Sequence, residues 1–337
     1  MVVTMMNNTT IATAYDVVVI GGGAAGLSGA LTLARSRRSV LVIDAGEPRN
    51  APAAGVHGFL TRDGMNPQAL LEAGRAEVRG FGGHIVDGRV TSASRDGDSF
   101  TVSLADGRAV SARRLLVTTG LIDELPEVSG LRERWGRDVL HCPYCHGWEV
   151  RDQAVGVLGT GPRAVHQALL FRQLTSDLVL FTHTAPQLSE EQAEQLAARE
   201  IRVVTGIVDS LEIVDDLLTG VRLRDGTMVA RQALAVMPRF VARSDAMASL
   251  GLHATAHPLG MGQFVPADAT GLTEVPGVWV AGNVTDLSAQ IVSAAAGGVV
   301  AAAAINADLI AEETRQAVSA YRDQRSGSPR PVTASVS

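Results

Sequence analysis

The chain of 337 residues contains no lysine: its 29 basic residues are all arginine, set against 35 acidic ones for a formal net charge of −6. Without lysine there is no Schiff-base chemistry, no pyridoxal-phosphate anchor and no Walker-type phosphate lysine. No block of basic residues occurs and the pI is near 5.8, so nothing points to nucleic acid as a partner. Long apolar runs are missing too. The longest small-apolar stretch, Ile291 to Ile305, falls short of the roughly 20 residues of a spanning helix and reads as a buried helix. The first fourteen residues have neither a basic start nor a clean apolar segment, so they read as a loose tail, not a signal peptide, and the expected compartment is the cytoplasm with no membrane partner. Cysteine is almost absent. Two thiols, Cys142 and Cys145, exclude a secreted disulfide scaffold and have to be explained on their own terms.

What is present is a full core and a repeat. Apolar residues make up 46% of the chain, and the length predicts two domains. From Tyr15 an apolar strand runs into Gly21, Gly23 and Gly26 and then into a helix through about Ala34; a second apolar strand, Ser39 to Ile43, follows. The pattern returns 138 residues on: a strand from Ala154 runs into Gly159, Gly161 and Ala164, a helix follows to about Leu174, and then another strand, Asp177 to Phe181. Each is a β-α-β unit whose glycines permit a tight turn and the close approach of a pyrophosphate to the N–H groups opening the helix.

The residue ending the second strand separates the two units. In the first it is Asp44, 23 residues after Gly21, close to the spacing of about 20 expected of a carboxylate on the adenosine ribose. In the second the strand runs into Thr182-His183-Thr184, neither a carboxylate suited to NAD nor arginines suited to the 2′-phosphate of NADP. That site reads as weakened, or as a retained scaffold, although Arg163 and Arg172 stand near enough in sequence to reach a phosphate. Two Asp-Gly hairpins, Phe100 to Val110 and Gly220 to Val229, fall one in each domain. Leu115 to Gly120 and Val278 to Gly282 are short buried strands ending in glycine, and both bring backbone toward the first unit.

The layout is therefore α/β, with two Rossmann-like dinucleotide-binding domains of three-layer ββα type, the second inserted into the first: 15–121 plus 242–315 for the first, 122–241 for the insert, and flexible tails at 1–14 and 316–337.

His141 to Glu149, reading HCPYCHGWE, is the most informative segment. Thiols three apart close a small disulfide, a helix start would lower a thiolate's pKa, and neighbouring histidines supply a base titrating near neutrality. A zinc site lacks a second cysteine pair, and His141 and His146 adjoin the thiols too closely to complete a tetrahedron. Cys-Pro-Tyr-Cys also occurs in glutaredoxins, but those are small independent folds. Two inert thiols, or a non-catalytic redox sensor, remain the bland readings. A redox-active disulfide beside a dinucleotide fold needs a two-electron partner, which a flavin supplies. The C-terminal return agrees with FAD: Gly282-Asn283 ends a strand where a polar side chain can meet the ribitol, and Gln290 opens an Ala/Gly-rich helix at Ile291 whose positive end can face reduced flavin.

The first glycine fingerprint, Thr118-Thr119-Gly120, the Cys-x-x-Cys ahead of the second fingerprint, and the Gly-Asn and Gln-Ile block resemble the low-molecular-weight thioredoxin reductase family over nearly the whole chain. Within it the cysteine segment is similar to the branch of gliotoxin and holomycin dithiol oxidases. The resemblance implies FAD and a homodimer, with Asn50, Val90, Thr119, Gly120, Gly282, Asn283, Gln290 and Ile291 joining Gly21, Gly23, Gly26 and Asp44 around the cofactor. It implies that Cys145 is the flavin-proximal charge-transfer thiolate and Cys142 the exchanging thiol. Three departures stand out. His146 replaces the usual aspartate after the second cysteine, so the acid–base role passes to imidazole, with His141 as a possible helper. Thr182-His183-Thr184 replaces His-Arg-Arg, which leaves NADP open. Asn283 replaces aspartate before the ribitol and keeps a hydrogen-bonding group without the charge.

The function expected is therefore an FAD-dependent dithiol oxidase closing a disulfide in a small natural-product dithiol with oxygen as acceptor. The alternative is an NADPH- or ferredoxin-dependent reductase of a thioredoxin-like protein. His57, in the loop Asn50 to Met65, can face flavin or substrate, but a lone loop histidine reads first as solvated.

Overall fold

The computed structural model describes residues 12–326. Val17 to Ile20 are all buried in the strand Ala14–Ile20, the centre of a seven-stranded sheet. Val40–Asp44 and Ala109–Val117 flank it in parallel, and His84–Asp87 extends the sheet beyond Val40–Asp44. A strand apolar at every position is buried on both faces, and the alternation of side chains sorts them. Val18 and Ile20 pack with Phe100 and Val102 of the antiparallel meander, whereas Val17 and Val19 pack under the helices with Leu27, Ala301 and Ile305. Ala109–Val117 is where the layers part. Its first half pairs antiparallel with Ser99–Leu104, and Leu115 to Val117 pair in parallel with Val278–Val280, returning the C-terminal part of the chain to the first domain.

The inserted domain repeats the scheme. Val155–Leu158 is central in a five-stranded parallel sheet and a separate three-stranded sheet packs beside it. The chain enters along Leu121–Glu124 and leaves along Arg239–Ala242, and these strands pair antiparallel, Leu121 opposite Ala242. The architecture is the expected pair of dinucleotide-binding α/β units, one within the other.

The C-terminal end departs from expectation. The helix read over Ile291 to Ile305 runs Ile291–Ser326, so residues 316–326, read as tail, are helical; residues 1–11 and 327–337 lie outside the described residues. Its length and hydropathy alone would suit a membrane span, but it is tied to the first domain. Ala301, Ala302, Ile305 and Leu309 are buried in the core. Arg114 donates to Asp308 at 2.5 Å and to Glu312 at 2.6 Å, and Arg113 to Glu312 and Glu313 at 3.0 and 2.8 Å. A helix rich in Ala, Glu and Arg continues once such a clasp holds its middle.

Arg114→Met is expected to cost about 2 kcal/mol, less than the ~3–5 of a fully buried pair because Asp308 stays open to water; urea unfolding checks it. Burial opposes ionisation of Glu312, but Arg114 and Arg113 outweigh it and hold the carboxyl below its ordinary range. A depressed carboxylate pKa stabilises at neutral pH and loses that contribution as the pH falls through the folded-state value. The variant and parent should therefore converge in stability on acidification.

Candidate active site

A cavity of about 960 Å³ runs from the first glycine loop to the two cysteines, in the size range of cofactor and substrate clefts. Gly21, Gly23, Asp44, Asn50, Val90, Thr119, Gly120, Gly282, Asn283, Gln290 and Ile291 line it, with His141, Cys142, Cys145 and His146 at the other end. Gly26 lies underneath: a Cβ there would stand 1.9 Å from the Gly21 carbonyl. Gly21 has φ +111°, which excludes side chains, and its loop is held from behind by the Thr118 hydroxyl, donating to the carbonyls of Ile20 and Gly21 at 3.1 and 2.8 Å. In front of Gly23, the N-cap of the helix Ala24–Arg35, the space is open. This cradle fits the pyrophosphate of FAD.

Three expected cofactor contacts are partly engaged elsewhere. Asp44 is buried and its Oδ2 accepts a short hydrogen bond from Arg75, on the helix Pro67–Gly80. Arg75 has no sequence signature, and it orients the carboxylate meant for the ribose. Asn283 Nδ2 donates to the carbonyls of Asp286 and Ala289 at 3.0 and 2.9 Å. A carboxylate at that position has no proton to offer, so the amide pins the 283–290 loop that leads into the last helix. Thr119 likewise uses its hydroxyl on the Arg243 carbonyl, at 2.6 Å, where the chain returns to the first domain.

The cysteines open a helix of only one turn, Pro143–His146, with Cys142 as N-cap. The helix dipole invoked from sequence is therefore small. Local donors replace it. In the dithiol form seen here, the Cys142 thiol is brought down to about 7, chiefly by the hydrogen bond from the Cys145 thiol. Burial opposes this, while the N–H groups of Cys145 and Tyr144 and the charge of Arg49 support it. Cys145 is pushed up by donating that bond and by burial. Arg49 is absent from the sequence-based expectations. It lines the cavity, grips Asp123 through Nε and Nη2 at 2.8 and 2.7 Å, and lies over the Phe240 ring.

The two histidines take different roles. Burial and then Arg49 drive His141 down to about 4; its Nδ1 donates to the Val236 carbonyl at 3.2 Å and its ring packs edge-on to Phe240. This lowered basicity weighs against the share in the acid–base role expected of it. His146 is also held below the ordinary imidazole range by burial, with Glu149 opposing and His57 reinforcing. Its Nε2 is buried without a partner, in a wall of the cavity.

At the second fingerprint the space in front of Gly161 is open, as it is at Gly23, but the adjoining cavity is small. A Cβ at Gly159 would stand 2.7 Å from the Phe181 carbonyl, and the space beside Gly161 and Ala164 is about 70 Å³. Thr182 Oγ1 accepts from the N–H of Gly206 and His183 Nδ1 from that of Val208. Of the two arginines expected to reach a phosphate, Arg163 is the N-cap of the helix Ala164–Phe171 that opens at this fingerprint. Arg163 lines the large cavity, and Arg172 donates to the Arg199 carbonyl at 2.8 Å.

The sequence matches the pyridine nucleotide-disulphide oxidoreductase family over residues 15–298. Relatives include thioredoxin reductase sirT of Leptosphaeria maculans, 30% identical over 309 residues that cover 87% of this chain and 93% of that one. Thioredoxin reductase tcpT of Claviceps purpurea is 29% identical over 314 residues, covering 88% and 95%. Among solved structures, HlmI superposes with a TM-score of 0.87 at 49% identity, covering 94% of this chain and 99% of that one. An oxidoreductase from Agrobacterium tumefaciens gives 0.83 at 36% identity, covering 88% and 99%. With its cradle for a dinucleotide and its cysteine pair in one cavity, the chain belongs to the pyridine nucleotide-disulphide oxidoreductases, as an FAD-binding, thioredoxin reductase-like enzyme of thiol–disulfide chemistry.

Proposed function

We propose that this enzyme oxidises a small-molecule dithiol of the natural-product type to its intramolecular disulfide, with oxygen as the final acceptor. One observation carries the reading: the cysteine pair opens into a roomy cleft, while the cavity beside the second fingerprint is only about 70 Å³ and Thr182 and His183, standing where 2′-phosphate arginines are expected, accept hydrogen bonds from the N–H groups of Gly206 and Val208. The resemblance of the cysteine segment to the dithiol-oxidase branch, and the similarity to HlmI, agree with it.

FAD, when bound, supplies a two-electron acceptor that oxygen regenerates. The Gly21–Gly23 loop and the start of the helix Ala24–Arg35 would hold its pyrophosphate, Asp44 its ribose, and Asn283 and Gln290 its ribitol side. The protein's own steps are thiol–disulfide exchange. A substrate thiolate attacks Sγ of Cys142, the Cys142–Cys145 bond breaks, and Cys145 leaves as thiolate. The second substrate thiol attacks the sulfur joined to Cys142, closing the substrate disulfide and releasing Cys142. The N–H groups of Cys145 and Tyr144 and the charge of Arg49, which favour a thiolate on Cys142, assist its departure in the second step. His146 takes the thiol proton. His146→Ala is expected to slow thiol oxidation on the order of 10²–10⁴-fold at neutral pH while flavin stays bound; unchanged turnover would remove His146 from the mechanism.

The second reading, an NADPH-dependent reductase of a thioredoxin-like protein, is favoured by the retained Gly159-Thr-Gly161 turn. Anaerobic mixing separates the two. Bleaching of flavin absorbance by dithiol alone supports oxidation, and bleaching by NADPH within seconds overturns it. We place the enzyme in the cytoplasm as a homodimer, a second copy covering the exposed Val292, Val299 and Val300 of the last helix; light scattering checks the dimer.

A further inference from the structure

The loop 55–65 does not leave His57 solvated. The loop is closed by the Val56–Met65 bridge, and the Gly58 N–H donates to Asp63 Oδ1 at 2.9 Å. The His57 side chain is only 21% exposed and lines the same cavity as His146. The two imidazoles meet edge to face with centroids 6.4 Å apart. Each His57 nitrogen has its own carboxylate. Nδ1 stands 3.4 Å from Asp63 Oδ2, and Nε2 stands 3.4 Å from Glu149 Oε1 on the turn that follows the cysteines. Both carboxylates reach solvent, with side chains 67% and 42% exposed.

We infer that His57 is a positioning residue for proton transfer: it receives, through His146, the proton taken from the substrate thiol and holds it between Asp63 and Glu149. The chemistry requires such a place. Oxidation of R(SH)₂ by O₂ to RS₂ and H₂O₂ moves two electrons and two protons, and the protons leave the thiols at the exchange steps while oxygen collects them only at the end. A proton left on His146 would sit in a buried site with one nitrogen unpartnered, where a charge is costly. On His57 it sits between two carboxylates open to water. The groups facing the pair are Asp63 from the loop itself and Glu149 from the turn beyond the cysteines, each imidazole facing the other.

The inference rests on the oxidase reading, and His57→Gln tests it separately. Wild-type flavin bleaching by dithiothreitol tests the reading; the variant relative to wild type tests the relay. At pH 7 the variant is expected to bleach about tenfold more slowly, to recover above pH 8.5, and to be rescued by added imidazole. In the flavin-free protein, ring NMR should show the His146 titration moved upward in the variant, because the neighbouring His57 charge that opposes protonation is gone. A uniform loss at every pH without imidazole rescue, or an unmoved His146 titration, overturns the relay. Should His57→Gln not fold, Glu149→Gln is read the same way, with a loss of about threefold at pH 7 relieved by imidazole, and parity with wild type overturns it.

Discussion

Cys142→Ser is expected to abolish dithiol oxidation, a loss on the order of 10⁴-fold or more, because a residue that bonds covalently to substrate has no substitute nearby. The protein should stay yellow, since no FAD contact is removed. Residual turnover within tenfold of wild type would mean that substrate exchanges at the other sulfur. The same sulfur has a pH signature. Alkylation of the reduced protein by iodoacetamide should follow the Cys142 thiolate, with a midpoint near pH 7. Its rate falls about tenfold for each pH unit below that as the thiolate protonates. Cys145→Ala removes the thiol that donates to Cys142, the largest stabilising influence on that thiolate, so the midpoint should move up. An unmoved midpoint would assign the lowering to the backbone N–H groups and Arg49.

Gly298→Val is expected to cost at least about 3 kcal/mol, the upper end of overpacking penalties, and to yield protein that retains little flavin. A Cβ at Gly298 would stand 2.0 Å from the Ala25 carbonyl oxygen and 2.8 Å from its carbon, and Gly29 opposite would bring its own Cβ 3.1 Å from the Gly298 carbonyl. These are backbone atoms, so no side chain can swing aside. The helices Ala24–Arg35 and Ile291–Ser326 would have to separate, and the first opens behind Gly23 at the pyrophosphate cradle. The ratio of flavin to protein absorbance and the thermal midpoint measure both effects. A stable variant with full flavin content would show that the helix contact does not shape the cradle.

Some of this was legible in the linear chain. The Tyr15 to Leu27 and Ala154 to Ala164 segments announce strand, glycine turn and helix because the apolar run, the glycines and the helix start all fall within about a dozen residues. HCPYCHGWE does the same for the thiols. The surroundings of His141 are not legible for the opposite reason: its lowered basicity comes from burial against Phe240 and from Arg49, 92 residues upstream. The C-terminal helix was cut short because composition alone does not reveal that Arg113 and Arg114, on a distant strand, clasp Asp308, Glu312 and Glu313.

The opening absence also acquires a sharper meaning. With no lysine, every fixed cation is a guanidinium, and the structure uses its fork geometry: Arg49 on Asp123, Arg75 on Asp44, Arg114 across Asp308 and Glu312. Composition excluded lysine chemistry, and local pattern determined the nucleotide folds and the redox pair, because backbone turns and thiol spacing are short-range properties. Tertiary structure alone decided that His141 is buried beside Phe240 and Arg49, which fingerprint fronts the large cavity, and that His57 stands beside His146 between two carboxylates. Burial and charge act through space, and the residues that set them at this site lie scattered along the chain.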